Sequence, residues 1–202
     1  MTRLRPLLPD RRAIVATALL WLGFAAIEFA MHRPPICPCG TVKLWWGVVH
    51  SSENSQHIAD WYSFSHLIHG FLAYGAAHLL WRRWRLAGAQ MDGGPARWSL
   101  PIALAVEGAW EVLENSPLII DRYRAVTISW GYAGDSIVNS MSDIGFMVLG
   151  FFLAARLRWG ATLALGLGFE AMTALVIRDG LALNVLMLLW PLDAVRRWQA
   201  GG

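Results

Sequence analysis

The sequence predicts an all-α integral membrane protein, with about six transmembrane helices in a single domain over residues 1–202. Three observations predict this class. The chain is 56% hydrophobic and only 15% charged, which is too little charge for the surface of a soluble domain of this size. Apolar runs recur at membrane-spanning length, and short arginine clusters lie at the ends of several of them.

The N-terminal segment predicts the first helix. Arg3, Arg5, Arg11 and Arg12 precede an apolar run over residues 13–31, in the order found in a secretory signal peptide. The run is long for a signal peptide, and no small-x-small cleavage site follows it. We therefore expect a retained transmembrane helix whose N-terminus lies inside the cell.

Residues 32–60 form a loop, and its amphipathic stretch VKLWWGVVHSS predicts an interfacial segment before the second helix. Trp45 and Trp46 suit the depth of the lipid headgroups. Cys37 and Cys39 are separated by one proline. A disulfide across a single residue would be strained, and two thiolates alone do not complete a metal site. We therefore expect free thiols.

Five further apolar runs predict the remaining helices, and a loop over residues 118–134 separates the third helix from the fourth. With both termini inside, twelve of the seventeen Lys and Arg residues fall on the inner side, which agrees with the positive-inside rule. The net charge of +3 alone would suggest a protein that binds nucleic acid. The distribution of the basic residues instead indicates a multi-pass protein of the bacterial inner membrane. The five runs cover residues 61–81, 98–116, 135–155, 161–177 and 181–195.

Polar side chains recur at helical spacing on three of these predicted helices, near their outer ends. At about 1.5 Å of rise per residue, the three sets lie at common depths. One ionisable group at the bilayer centre costs ~2.5–3.5 kcal/mol, so we expect the sets to face one another in one polar site. They are Tyr62, His66 and His69; Glu107, Glu111 and Glu114; and Asp135, Asn139 and Asp143.

An excess of carboxylates beside two imidazoles predicts a bound divalent metal, zinc first, with manganese or iron also compatible. The same site would hold both the metal ion and the catalytic groups. The predicted metal ligands are His66, His69, Glu111, Asp135 and Asp143. The predicted catalytic groups are Glu107, Glu114 and Asp143, and the predicted substrate-binding residues are Arg122, Arg124 and Tyr62.

Three more acids lie near these sets. Asp60 precedes the second helix, where it would either cap the helix or extend the site. Glu28 and Glu170 are acids within predicted membrane helices, and either would complete the polar cluster or pair with it.

The motifs SSENSQH, DWY, LENSP, DRYR and GDS, between residues 36 and 198, resemble an uncharacterised family of alphaproteobacterial inner-membrane proteins. The resemblance implies a multi-pass membrane protein and no particular activity. A looser similarity, in the order of His, Glu and Asp motifs, is to VanZ-like membrane proteins. The segments IIDRYR and NSMSD are similar to lipoprotein signal peptidase, a membrane aspartyl protease. That similarity implies Asp121 and Asp143 as a catalytic pair.

The leading hypothesis is a metal-dependent hydrolase or transferase in the outer half of the membrane, acting on a lipid or lipid-linked substrate. Three alternatives stay open at this point: the aspartyl protease, an ion- or proton-coupled transporter, and a non-catalytic assembly protein. The absence of visible inverted repeats weighs against the transporter. The sequence does not indicate an oligomeric state.

Overall fold

A computed structural model describes residues 9–86, 96–127 and 131–201, and the regular elements of these ranges are all helices. A short 3-10 helix, Ala96–Trp98, leads into the third α-helix. The α-helices of the described residues are α1 (Arg11–Ala30), α2 (Ser63–Leu86), α3 (Ser99–Glu114), α4 (Pro117–Val126), α5 (Ile137–Arg156), α6 (Trp159–Ile177), α7 (Leu181–Leu189) and α8 (Asp193–Gln199).

Three of these helices, α1, α5 and α6, are long and apolar enough to cross a membrane. Much of the apolar surface of α6 is exposed, including Leu163, Leu167 and Leu175, as expected for side chains that face lipid. The protein is therefore helical and compatible with a membrane protein, but the described residues do not support six spans.

The predicted sixth span is divided. The apolar run over residues 181–195 forms two short helices, α7 and α8, and the chain leaves the helical conformation at Trp190, with φ −145° and ψ 79°. Trp190 precedes Pro191, and a residue before proline is disfavoured in the α conformation. The nine residues of α7 rise only about 13 Å, which is too short to cross a bilayer.

The predicted orientation, with both termini inside, rests partly on Arg3, Arg5 and the arginines between residues 82 and 85. Arg3 and Arg5, and the side chains at 82–85, lie outside the described part of the chain. The orientation stays a prediction.

The predicted loop over residues 118–134 begins with a helix that the sequence analysis missed. Ser116 is extended, with φ −79° and ψ 151°, and Pro117 is the first helical residue of α4. Proline suits this position because its φ is already helical and its missing N–H has no partner in the first turn.

Two glycines bring α2 and α5 into backbone contact. A Cβ atom at Gly70 would lie 2.1 Å from the carbonyl oxygen of Met147, and one at Gly150 would lie 2.2 Å from that of Leu67. Residues 67–70 of α2 therefore lie beside residues 147–150 of α5. This contact fixes the level of every polar residue on one helix relative to the other.

The buried core lies between α3 and α5, and α1 packs against both. Leu104, Ile144 and Phe151 are completely buried. Trp21 of α1 donates its indole N–H to the carbonyl oxygen of Met141 at 3.2 Å. These contacts hold α3, which carries Glu107, Glu111 and Glu114, and α5, which carries Asp143, in a fixed relationship.

Residues 31–62 form an ordered loop that has no regular helix or strand, so the predicted interfacial segment is irregular. The loop binds the start of α5, because the backbone N–H of Ile137 donates to the carbonyl oxygen of Pro34 at 2.9 Å. Within it, Cys37 and Cys39 form a disulfide, so the prediction of free thiols was wrong. The turn places their Cα atoms 5.1 Å apart, which is within the reach of a disulfide.

Candidate functional site

Asp60 caps the turn that leads into α2. Its Oδ1 accepts a hydrogen bond from the N–H of Tyr62 at 2.8 Å, and its own N–H donates to Oγ of Ser63 at 3.1 Å. These two hydrogen bonds fix the turn that precedes the first residue of α2. Burial raises the pKa of the Asp60 carboxyl to about 6, although the Tyr62 N–H lowers it in part. Of the two predictions for Asp60, the structure supports capping.

His66 and His69 lie on one face of α2 and meet the same carboxylate of α3. Nδ1 of His66 is 2.7 Å from Oε1 of Glu107, and Nδ1 of His69 is 2.9 Å from the same oxygen. His66 and Glu107 are buried, and His69 is partly exposed. Each of the three residues offers a ligand atom, and these atoms lie within 4.8 Å of one another. The arrangement is suited either to a metal ion or to a shared proton.

Two more carboxylates surround His66. Oε1 of Glu111 lies 3.5 Å from its Nδ1, and Oδ2 of Asp143 lies 3.8 Å from its Nε2. The hydroxyl of Ser63 is 3.3 Å from Oδ1 of Asp143. Glu111 is buried, and its Oε1 has no hydrogen-bond partner among the residues that the structure describes. The polar groups of α2, α3 and α5 therefore meet around His66.

The predicted pairing of levels is off by about one turn. If depth is counted at an equal rise along the three helices, Asp143 is predicted to lie beside His69. In the structure it lies beside His66. Because residues 67–70 lie against residues 147–150, Asp143 lies above that contact, at the level of His66. Glu107 lies beside His69, as equal depths predict, and it also contacts His66, for which equal depths predict Glu111. Depth counted along parallel helices neglects the inclination at which packed helices cross.

Asp135 belongs to a separate hydrogen-bond network at the start of α5. Its two carboxylate oxygens accept hydrogen bonds from Asn115 and from the hydroxyl of Tyr132, each at 2.9 Å. Its backbone N–H donates to Oδ1 of Asn115 at 2.7 Å, and its carbonyl oxygen accepts from Arg33. Burial raises the pKa of Asp135, and the bonds from Tyr132 and Asn115 offset part of that rise.

Asn139, the middle residue of the predicted α5 set, points to the loop. Its side chain donates to the carbonyl oxygen of His57 at 2.8 Å. It holds the loop against α5 and does not line the cavity that contains the histidines.

A cavity of about 670 Å³ connects the polar cluster around His66 with the hydrogen-bond network around Asp135. His66, His69, Glu107, Asp135 and Asp143 contribute to its polar part. Most of the remaining wall is apolar and comes from α2, α3 and α7, including Leu72, Leu80, Ile102, Val106, Val185 and Leu188. From His69 to Leu80 the cavity follows α2 for roughly 16 Å. A long apolar chamber with polar groups toward one end suits an amphipathic molecule.

Tyr62 and Glu114 also line this cavity. The hydroxyl of Tyr62 donates to Oδ2 of Asp179 at 3.0 Å. Glu114 is half-buried, and the side chains of Tyr123 and Trp110 hydrogen-bond to it. Both residues therefore lie at the polar part of the cavity, and their roles in substrate binding and catalysis stay predictions.

Arg122 and Arg124, the predicted headgroup-binding residues, do not line the cavity. Nε and Nη2 of Arg122 both donate hydrogen bonds to the carbonyl oxygen of Leu188, near the C-terminal end of α7. Arg124 donates to the carbonyl oxygen of Tyr132. Both guanidinium groups therefore donate hydrogen bonds to backbone carbonyl oxygens.

Asp121 and Asp143 are not brought together. The side chain of Asp121 is 75% exposed and pairs with Arg124, whereas Asp143 is buried beside His66. A catalytic pair of these two residues, as in an aspartyl protease, finds no support in this geometry.

The two remaining acids have different surroundings. Glu28 is completely buried on α1, beside Ser140. Glu170 accepts hydrogen bonds from the backbone N–H groups of Leu181 and Ala182 at 2.9 and 3.0 Å, and so caps the start of α7. Glu170 is therefore a structural acid, and it does not line the cavity.

Sequence reasoning missed Asn115 and Arg33 as parts of the site. Asn115 follows Glu114 directly, and an amide next to an acid of a predicted membrane helix was the signal that could have identified it. Arg33 lies in the loop, 102 residues away from Asp135, and no local pattern connects the two.

Comparison with known proteins agrees with the family resemblance. A family profile described as "Protein of unknown function (DUF2585)" matches residues 28–201. A UPF0314 protein of Novosphingobium aromaticivorans is 60% identical over 196 residues, which cover 97% of this chain and 96% of that relative. A UPF0314 protein of Paracoccus denitrificans is 58% identical over 187 residues, which cover 93% and 87%. No solved structure matches the chain significantly. The chain therefore belongs to the DUF2585 family, and both of these relatives carry the name UPF0314 protein.

Proposed function

We propose that this protein is a metal-dependent enzyme of the bacterial inner membrane that hydrolyses, or transfers a group from, a lipid or lipid-linked substrate. One observation carries the proposal. A cluster of two histidines and a carboxylate, His66, His69 and Glu107, lies in the polar part of a long and otherwise mostly apolar cavity. Such a cavity suits a substrate with a polar headgroup and an apolar chain.

The donor set fits a divalent metal ion. Two imidazoles and one carboxylate leave a coordination position open on zinc, as in catalytic zinc sites, and manganese or iron accept the same donors. In this proposal Glu107, and not Glu111, supplies the carboxylate ligand beside His66 and His69. A bound divalent cation would supply Lewis-acid activation of a substrate oxygen and of water.

The remaining carboxylates suit proton transfer. Glu111 and Asp143 flank His66 at 3.5 and 3.8 Å, and Glu111 has an oxygen without a hydrogen-bond partner in the described part of the chain. Asp143 lines the cavity and would accept a proton from the attacking water or hydroxyl group, whereas Glu111 contacts His66 from outside the cavity. Tyr62 and Glu114 lie farther along the polar wall, where they would contact the headgroup.

The apolar wall supports the lipid substrate. Leu72 and Leu80 on α2, with Ile102 and Val106 on α3, line the chamber beyond the polar cluster. Burying apolar surface there contributes roughly 25 cal/mol per Å², so an alkyl chain would bind more strongly than a water-soluble headgroup alone. The inward-facing termini and a site in the outer half of the membrane remain part of this proposal.

A proton-coupled carrier is the second candidate, and one observation favours it. Oε1 of Glu107 bridges two histidine nitrogens at hydrogen-bond distance, an arrangement that would also serve to relay protons. In that case the protein binds no metal. The looser similarity to VanZ-like proteins does not separate the two candidates, since it implies no activity.

Metal analysis of the purified, detergent-solubilised protein tests the proposal. We expect one equivalent of a transition metal in the wild type, and its loss in His66→Ala and Glu107→Gln. His78→Ala is the matched control, because His78 lies on the same helix but does not line the cavity. A metal-free wild type that folds normally would overturn the metal-dependent enzyme and favour the carrier.

Lipid analysis then addresses the substrate. Extracts of cells without the protein should accumulate one lipid species, and His66→Ala should reproduce that change whereas His78→Ala should not. If wild-type, His66→Ala and deleted cells have the same lipids, the lipid substrate is wrong even where the metal is present.

A further inference from the structure

A second group of metal-binding side chains lies outside the cavity, in the loop that precedes α2. Cys37, Cys39, Glu53 and His57 each offer a ligand atom, and these atoms lie within 4.8 Å of one another. Cys37 and His57 are buried, while Glu53 and Cys39 have exposed surface. We propose that reduction of the Cys37–Cys39 disulfide converts this cluster into a Zn²⁺ site, so that the loop holds either a disulfide or a metal ion.

The donor set is that of a tetrahedral zinc site. Two thiolates, one imidazole and one carboxylate supply four ligands, whereas the cysteines alone supply two. Nε2 of His57 lies 3.1 Å from Oε2 of Glu53, close to the roughly 3.3 Å that separates N and O ligands of one tetrahedral Zn²⁺. Reduced sulfurs are free to take the roughly 3.8 Å that two thiolates adopt on one Zn²⁺. The cluster therefore needs only small displacements to close around an ion.

The chemical steps balance with a dithiol as reductant. The dithiol transfers two electrons and two protons to the disulfide, is itself oxidised to a disulfide, and leaves two thiols at Cys37 and Cys39. Binding Zn²⁺ then releases both thiol protons. Exchange with a disulfide oxidant re-forms the Cys37–Cys39 bond, transfers the two electrons to that disulfide and leaves it as two thiols. Glu53 and His57 alone would then hold the metal weakly.

The neighbours of His57 fix the position and the tautomer of its ring. The backbone N–H of Lys43 donates to Nδ1 of His57 at 3.3 Å, which places the proton of the neutral ring on Nε2, toward Glu53. A metal ion on Nε2 would replace that proton and move it to Nδ1, at the expense of this long contact. The ammonium group of Lys43 contacts Glu53 and the ring of Trp46. In the disulfide form, Lys43 thus supplies the positive charge that a metal ion would otherwise bring.

The state of the cluster reaches the rest of the fold through His57. Its carbonyl oxygen accepts a hydrogen bond from the side chain of Asn139 on α5, at 2.8 Å. A small movement of His57 therefore acts directly on the helix that carries Asp143.

Cobalt binding to the full-length protein in detergent tests the proposal. The chain has two cysteines, so a thiolate-to-cobalt charge-transfer band can arise only from Cys37 and Cys39. After anaerobic reduction with a phosphine we expect this band to saturate at one equivalent of Co²⁺ and to disappear on addition of Zn²⁺. The oxidised protein should show no such band, and neither should Cys37→Ser.

Variants of the other two ligands separate a four-residue site from adventitious binding to thiols. His57→Ala and Glu53→Gln should each weaken Co²⁺ binding at least tenfold in the reduced protein. His50→Ala is the matched control, since His50 belongs to the same loop but not to the cluster. The proposal is overturned if the reduced wild type shows no band, or if His57→Ala and Glu53→Gln both bind as the wild type does. Thermal melting of each oxidised variant shows whether it is folded.

Discussion

Tyr62 and Asp179 join the start of α2 to the corner between α6 and α7: the phenol hydroxyl donates to Oδ2 of the carboxylate at 3.0 Å. Asp179 is completely buried. Its Oδ1 accepts from the N–H of Gly180 at 2.9 Å and from the side chain of Gln199 at 3.2 Å. Burial raises the pKa of Asp179 to about 6, although the bonds from Gly180 and Tyr62 lower it in part.

The pKa of Asp179 predicts a pH-dependent stability. A carboxyl whose pKa is raised on folding binds its proton more tightly in the folded protein, so the free energy of unfolding falls as the pH rises from about 4 to about 6. Asp179→Asn removes this dependence and keeps the shape of the side chain. A rise of about two units corresponds to at most about 3 kcal/mol. Melting temperatures in detergent between pH 4 and 7 measure the effect.

The control for this prediction is Asp121→Asn, because the side chain of Asp121 is 75% exposed. Asp60, with a pKa raised to about 6, contributes in the same direction, so Asp179→Asn should flatten the pH profile without abolishing it. A profile for Asp179→Asn parallel to that of the wild type would contradict the prediction.

Gly70→Ala should destabilise the protein strongly. The added Cβ would lie 2.1 Å from the carbonyl oxygen of Met147, so α2 and α5 must move apart. Overpacking of this kind costs about 1–3 kcal/mol or more, and it would also separate His66 from Asp143. Gly75→Ala on the same helix is the control, because a Cβ there meets nothing within 4 Å. The contact is not essential if both variants melt at the same temperature.

Asn115→Ala should destabilise the start of α5. The change removes the acceptor for the N–H of Asp135 and one donor to its carboxylate. Each buried group left without a partner costs about 1–3 kcal/mol. Asn115→Asp keeps the acceptor but places a second carboxyl beside Asp135, and should be at least as harmful. Ser116→Ala is the neighbouring control, and equal melting temperatures for Asn115→Ala and Ser116→Ala would refute the network.

Arg122→Met distinguishes a structural from a headgroup-binding arginine. The change removes two hydrogen bonds to the carbonyl oxygen of Leu188, so we expect a loss of about 1–3 kcal/mol in the free energy of unfolding. Metal content should stay at the wild-type level. Arg124→Met, with a more exposed side chain, should change stability less. If Arg122→Met leaves the melting temperature unchanged but alters the lipid profile of the cells, Arg122 binds the headgroup instead.

Regular features of the sequence predicted the regular features of the fold. Apolar runs identified α1, α2, α3, α5 and α6, because such runs must be helical to satisfy their backbone groups in lipid. Periodicity also identified the faces that carry His66, His69 and Glu107. The missed α4 begins at Pro117, between the predicted third helix and the predicted loop, and Pro191 divides the predicted sixth helix.

The amino-acid sequence alone determined that the protein is helical and apolar, and that the second, third and fourth predicted helices each present a polar face. Tertiary structure decided which of those polar groups touch. Contact at Gly70 and Gly150 sets the level of α2 against α5, and thereby pairs His66 with Asp143. The loop of residues 31–62 brings His57 and Glu53 to Cys37 and Cys39, because distances across a loop depend on its packing and not on spacing along the chain.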